Sequence, residues 1–548
     1  MKLKTSFFNV AALRKNLARF APCWGLYGIV LLLTALSRGN LDDAGFAEGM
    51  AVSTVVMVIV NFFYALLCAQ LLFGDLYNSR MCNALHALPM RREGWFLTNV
   101  TSGLLFSLLP NTVITLLCMV ICGEFWMIPM MWLCAVTLQF LFFFGVAVLS
   151  SYLVGHRFAM GMVYMIINGF SIILYWLVYS IFEPMLYGVT VPQEIFVDFC
   201  PVVKLCTFTY LDIHWLNMNA YWEITDGWGY LGLCAGLGIV AMTLALALYR
   251  KRNLEVAGDF AAIKFVGPVF LILYTICCGA CCHGFFSLFM GDENEVFLFI
   301  GLAIGYFTGS MLLRRTVRVF RLKTFLGFGA VALAMILSVV VVRTDLLGIV
   351  RWMPQKEQLK SVSITTTGTS NYQSSRLVLT KDEDLKKILQ IHQYGLEHQD
   401  AGGNGIADVC VTLTYTLKSG VTRERSYYVD VTAPCADYVR SYMSRPEMVL
   451  GAVYNQLDSY TLRQAEFYYE TGFLVTDKES LQQLMDAILA DCAAETLAQD
   501  WGFSGREQEH SWLTLEFYSQ SGNYYYVDFH FTEKAENITA WQQAQIMD

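Results

Sequence analysis

Charge is what this chain of 548 residues has least of. Asp, Glu, Lys and Arg make up 15% of it, while 56% is hydrophobic; soluble domains carry about 25% charged residues. Most of the chain is therefore built for lipid. Ionisable side chains are almost missing from the long apolar runs, which removes the acids and lysines that mark proton or ion pathways through a bilayer. The Gly-x-x-x-x-Gly-Lys-Ser/Thr phosphate loop is absent too, and with it the usual device for holding ATP on this chain. No nucleophile elbow and no cluster of acids, His or Cys at an interface marks a membrane-embedded enzyme.

The little charge present is unevenly spread. Residues 1–343 hold 21 basic against 17 acidic residues, and residues 344–548 hold 16 against 28. The first part addresses lipid and the second addresses water. A span needs about 20 apolar residues to cross ~30 Å of hydrocarbon. Nine stretches qualify: 20–37, 50–73, 99–122, 127–153, 158–182, 229–249, 265–290, 295–313 and 324–342. No cleavable leader is legible before them. Leu13, Leu17 and Phe20 alternate with Arg14, Lys15 and Arg19 at helical spacing, so residues 1–21 read as an amphipathic helix lying on the membrane surface.

Basic residues orient the spans. With the N-terminus inside, the inner segments carry 18 Lys and Arg, including Arg80, Arg91, Arg92, Arg250–Arg252 and the cluster 314–323. The outer loops before residue 343 carry only Arg38 and Lys204. Nine crossings then place the acidic tail outside the cell. Within the spans His283 is the one ionisable exception. It follows Cys277, Cys278, Cys281 and Cys282, and Cys at i and i+4 can share a helix face with a metal; a soft, cysteine-rich packed helix is the simpler reading, and no metal is assigned. Gly232 with Gly236, and Gly301 with Gly305 and Gly309, are small-xxx-small patterns that let helices approach closely, within the chain or between copies. The outer stretch 183–228 is long and aromatic. Residues 195–199 are apolar enough to lie in the interface as short helices, and Cys200 and Cys206 face an oxidising side without a spacing rule that compels a disulfide.

From about residue 355 the pattern changes to period-two strands and amphipathic helices. Residues 376–389 match 472–485 in form: a strand, a Thr followed three residues later by Glu (Thr380/Glu383, Thr476/Glu479), then a helix. That is the capping-box pattern. Each is followed by a hairpin pattern, 409–431 and 512–530. Two similar β-α-β-β modules of about 100 residues are expected, forming one α+β domain. Its histidines, His392, His398, His510 and His530, are scattered and read as surface residues. A binding or structural module fits better than an enzyme.

The segment between the second and third spans is the most informative. Leu85, Leu88 and Met90 around Pro89 offer an apolar knob, and Arg80, Arg91, Arg92 and Glu93 supply orienting charge. A short helix tied to two spans by tight turns can transmit a push from a soluble partner. The phrase Leu85-His-Ala-Leu-Pro-Met-Arg-Arg-Glu93, with Thr98-Asn99 and Gly103 beyond it, resembles the inner loop of ATP-binding-cassette exporter permeases of the type-2 class. A second phrase, Tyr249-Arg-Lys-Arg-Asn-Leu-Glu-Val-Ala-Gly-Asp259, is similar to the segment after the sixth span of bacterial, Firmicutes-like permeases that carry extra spans and an outer domain. Ala87 departs from the family's usual Ser.

The resemblance implies a polytopic α-helical membrane domain followed by a soluble extracellular α+β domain. Residues 22–252 would be a six-span permease core, 253–343 a cytosolic connector with three further spans, and 344–548 the outer domain. It also implies a plasma-membrane location and docking of a separate cytosolic ATPase at Arg80, Leu85, Leu88, Pro89, Met90, Arg91, Arg92, Glu93, Glu255 and Asp259. ATP and Mg²⁺ would be bound by that partner, and a second permease chain would complete the assembly. Export of an amphipathic or peptide-like substrate follows from the resemblance alone; no nucleic acid is implied. The alternative is a membrane-anchored peptide sensor or antimicrobial-resistance component whose outer domain binds the ligand.

Overall fold

The structure is a computed structural model. It describes residues 8–36, 43–87, 90–207, 211–216, 219–224, 227–252, 258–260, 262–263, 265–290, 295–366, 378–399, 408–430, 433–457, 459–468, 473–497, 511–519, 524–531 and 533–547. The chain forms two compact units. One comprises residues 1–181 with 192–338, the other residues 182–191 with 339–548.

The first unit opens with α1 (Val10–Arg19) and α2 (Ala21–Leu36). The Asn9 side chain accepts a bond from Ala12 N at 3.1 Å and so caps α1. The two helices meet at a bend of 61°, because Pro22 has no N–H to continue the ladder of α1. There follow α3 (Asp43–Leu72), α4 (Ser79–His86), α5 (Arg92–Ile121), α6 (Met127–Leu153), α7 (Arg157–Leu177), α8 (Gln193–Asp198) and α9 (Pro201–Thr207). The hairpin β1 (Leu211–Leu216) and β2 (Asn219–Ile224) precedes α10 (Gly227–Lys251), α11 (Val266–Met290), α12 (Val296–Arg314) and α13 (Leu322–Arg343). Among the described residues eight helices are long and apolar enough to cross a membrane: α3, α5, α6, α7, α10, α11, α12 and α13. The ninth expected span, 20–37, is the 16-residue α2; it qualifies only together with the bent α1. Between α7 and α10 the expected short helices are present as α8 and α9, whereas the hairpin was not expected. Cys200 is a free thiol that donates to Asn168 O at 3.3 Å, and Cys206 is free as well.

Helix α6 is central: 67% of its apolar window is buried, against 6% for α13. Its Gly145 meets Gly238 of α10 so closely that a Cβ on Gly238 would lie 2.7 Å from Leu141 O. Nearer the start of α6, a neutral polar network joins four helices. Tyr27 OH shares its one proton between Asn61 Oδ1 at 2.9 Å and Asn111 Oδ1 at 3.1 Å. Asn61 Nδ2 reaches Val136 O and Gln139 Oε1, and Gln139 Nε2 reaches Thr54 O. Such bonds satisfy groups that lipid cannot, and fix helix rotation. The sequence reading weighed only ionisable groups at membrane depth and so passed over this network.

The glycine patterns part company. On α12, a Cβ at Gly301 would meet Cys282 Cβ at 2.5 Å and Cys278 O at 2.7 Å, and one at Gly305 would meet Cys278 Cβ at 2.7 Å. Gly309 faces Leu271 and Tyr274. This stripe, with the cysteines and Gly279 of α11, is a helix-packing seam. Among the described residues nothing beyond their own helix lies within 4 Å of a Cβ at Gly232 or Gly236, so these two glycines form no seam there.

The second unit holds two modules of one topology. The first runs β3 (Leu359–Thr366), a single bridge at Leu379, α14 (Asp382–Glu397), β4 (Asp408–Leu417), β5 (Thr422–Asp430), α15 (Ala436–Met443) and α16 (Pro446–Val449). The second runs β6 (Tyr460–Tyr468), β7 (Phe473–Val475), α17 (Lys478–Ala493), β8 (Ser511–Ser519), β9 (Tyr524–Phe531) and α18 (Glu536–Met547). Both sheets are antiparallel, in the orders β3-β4-β5 and β7-β6-β8-β9. The Leu379–Val362 bridge occupies the place of β7. The repeat is therefore β-β-α-β-β-α, one strand and one helix longer than the expected β-α-β-β. Each module has its own apolar core. The expected caps shift by one residue. Lys381 is the N-cap of α14, and Asp477 is the N-cap of α17, accepting from Ser480 N at 2.9 Å; Asp ranks above Thr as an N-cap residue. His392, read as a surface residue, is fully buried.

Candidate functional site

The link between α3 and α5 is ordered by local bonds. Helix α3 runs into a 3₁₀ turn at Gly74–Tyr77, and Asn78, extended at φ −115°, ends it. Its side chain accepts from Arg80 N at 3.0 Å, and its carbonyl accepts from Cys82 N at 2.8 Å, starting α4. An Asn at that position satisfies a donor that a helix start leaves open. Cys82 turns inward and is buried, while Arg80, Met81, Asn83, Ala84 and Ala87 are exposed. The Leu85 side chain, Leu88, Pro89 and Glu255 lie outside the described residues.

Past the link, three of the expected docking residues are engaged inside the chain. Met90 Sδ accepts from Asn9 Nδ2 at 3.2 Å, next to α1. The Arg92 guanidinium donates to Arg252 O at 3.1 Å and Tyr249 O at 3.4 Å, and lies 5.8 Å over the Tyr249 ring. Glu93 pairs with Arg250 at 3.1 Å. Arg252, one of the inner charges and part of the phrase Tyr249–Asp259, completes the arrangement. It is 9% exposed and donates to Ser151 O at 3.2 Å, Tyr152 O at 3.4 Å and Leu76 O at 3.4 Å. Burial pulls its pKa down, yet a guanidinium keeps its proton. Two arginines thus join the ends of α3, α5, α6 and α10. The two arginines belong to the two phrases singled out in the sequence, but their carbonyl partners on α6 and in the turn after α3 are distant in sequence and carry no pattern of their own.

Around this knot the surface is polar. Asp75 of the 3₁₀ turn is half-buried; burial raises its pKa, against the pull of Arg19 and Lys15 on α1. A cleft of about 600 Å³ is lined by Gln70, Gly74, Tyr77, Asn78, His156, Arg157 and Phe158. Asp259 is elsewhere. Its turn is held to the α6–α7 link by Gly258 N–Gly155 O at 2.8 Å and Ala262 N–Leu153 O at 2.9 Å, and its carboxylate lies 4.0 Å from Arg315. Arg91 is exposed and is the N-cap residue of α5.

Among the described residues no group of three His, Cys, Asp or Glu is placed to hold a metal. His283 is 1% exposed, and neither ring nitrogen has a hydrogen-bond partner.

Set against models of known protein families, curated proteins and solved structures, the chain matches none. Its function must be argued from its own residues.

Proposed function

We propose that this chain is the membrane permease subunit of an ATP-driven exporter of the type-2 ATP-binding-cassette class. In this reading a separate cytosolic ATPase presses on α4, and ATP and Mg²⁺ belong to that partner. The observation that carries it is the pair of arginines, Arg92 and Arg252, which fastens the α4 link to the ends of four helices. A load placed on a short exposed helix is useful only if its anchors do not yield, and charged donors on several carbonyls make a stiff anchor.

The contact surface itself narrows to the outward side of α4, with Arg80 and Met81, and to the exposed Arg91 at the head of α5. Sidedness is supported by one further feature. The stretch 187–190, between α7 and α10, pairs with β5 of the C-terminal unit, as expected if both lie outside. The basic residues 250–252 and 314–323 then fall inside, in keeping with the bias of inner loops toward Lys and Arg.

The test is charge reversal on the exposed side of α4. Arg80→Glu should weaken retention of the ATPase by the purified chain at least tenfold while leaving its folding intact. Undiminished retention would remove α4 as the contact.

A further inference from the structure

The two modules of the C-terminal unit provide an internal control. The capped helices align with an offset of 96 residues, so Leu385, Ile388 and His392 of α14 correspond to Leu481, Leu484 and Ile488 of α17. The hairpins align with an offset of 102, since Leu413 pairs with Arg425 as Leu515 pairs with Val527. Most core positions are apolar in both. Three are not. His392, Tyr415 and Arg425 in the first module stand where Ile488, Phe517 and Val527 stand in the second, and all six are at most 3% exposed. The fold does not need polar groups there, because its sister does without them, and burying a guanidinium costs free energy unless something receives it.

What receives it is the chain on its way in from the helices. The Arg425 guanidinium donates to Ile349 O at 2.8 Å and lies 5.2 Å over the Trp352 ring. The loop carrying these residues is braced by Asp345, whose carboxylate accepts from Val350 N and Arg351 N, both at 3.1 Å. On the same strand, Val189 bridges to Arg425 and Ser426 N donates to Gly188 O at 3.0 Å. Gly188, at φ +70°, presses so close to the Tyr427 ring that no Cβ fits; Tyr187 lies 5.9 Å from that ring. Beneath, His392 Nδ1 meets Tyr415 OH at 2.8 Å, with its ring 5.2 Å from Tyr427. Residues 187–190 follow α7, and residues 345–352 follow α13.

We propose that His392, Tyr415 and Arg425 form a latch that holds both of these straps on β5, so that the first module ties the chain leaving α7 to the chain leaving α13. In the second module Ile488, Phe517 and Val527 offer no equivalent of these polar groups. The inference does not depend on an ATPase partner.

Hydrogen–deuterium exchange of the full chain in lipid nanodiscs tests it. Arg425→Val copies the sister module. Exchange at residues 187–190 and 346–353 should rise at least tenfold, with β4 and α14 as protected as before. Unchanged straps would overturn the latch; so would loss of protection in β4 and α14 together with the straps, since the residue would then serve only the module's own core. Should Arg425→Val fail to fold, Trp352→Ala removes a half-buried ring at the edge of the module core and keeps Arg425 itself. A latch predicts release of both straps from that single change, and release of residues 346–353 alone would contradict it.

Discussion

At the scale of single residues, the side chains that matter most are those that stop behaving as their type suggests. Arg92 and Glu93 look like docking charges on a basic loop, yet they are held by Arg252 O and Arg250. Arg252 shows the difference between a surface charge and a buried one. Arg252→Ala leaves the carbonyls of Ser151, Tyr152 and Leu76 without this donor and should cost about 2–4 kcal/mol. Arg250→Ala breaks an ion pair that is largely exposed and should cost no more than about 1 kcal/mol. Thermal unfolding of the two variants in detergent measures the contrast; equal losses would show that the Arg252 bonds carry no load.

His392 gives a second prediction at this scale. Burial and the neighbouring Arg425 push its pKa from 6.5 to about 4. The folded form therefore binds fewer protons than the unfolded chain between those values, and stability present above pH 6.5 is lost as pH falls toward 4. The loss from this group is roughly 3 kcal/mol. Asp384, held down by Tyr438 and Arg445 despite its burial, adds acid sensitivity of its own, so the comparison must be with His392→Ile. Protection of β4 in the full chain should fall more steeply with acid in the parent than in the variant. Parallel pH profiles would refute the assignment.

At the scale of elements, hydropathy alone located eight of the nine expected spans as helices long and apolar enough to cross a membrane, because roughly 20 apolar residues in a row have few alternatives. Their neighbours were less legible. Gly301 and Gly305 pack against α11 while Gly232 and Gly236 meet no other element among the described residues, though the two patterns look alike in sequence. Spacing shows that a helix can be approached closely and not by what. Gly305→Leu should destabilise the monomer by about 1–3 kcal/mol through overpacking, and Gly236→Leu by less than about 0.5 kcal/mol. Thermal inactivation of the purified chain would expose a reversal of that order. The hairpins of the C-terminal unit were found within a residue or so, since alternation and Gly420 at φ +84° specify them locally. The strand β3 and the recruitment of residues 187–190 by β5 went unseen, because each is created by a partner far away in sequence.

At the scale of the whole molecule, sequence and structure carry different parts of the account. Composition divides a lipid-facing part from a water-facing part near residue 343, and the two units separate close by, at residue 338. The segment proposed for docking was legible only as a segment. Its division into anchors (Arg92, Arg252) and an exposed side (Arg80, Met81) needed three-dimensional partners. The proposal of an ATP-driven permease depends on a subunit that this chain does not contain. Isolation of the chain from its native membranes in mild detergent, with ATP hydrolysis measured on the purified material, is the most direct measurement. The account predicts a stoichiometric ATPase carrying a phosphate loop, retained by the parent chain and lost with Arg80→Glu. A chain that purifies alone, with no ATP hydrolysis above background, would contradict it.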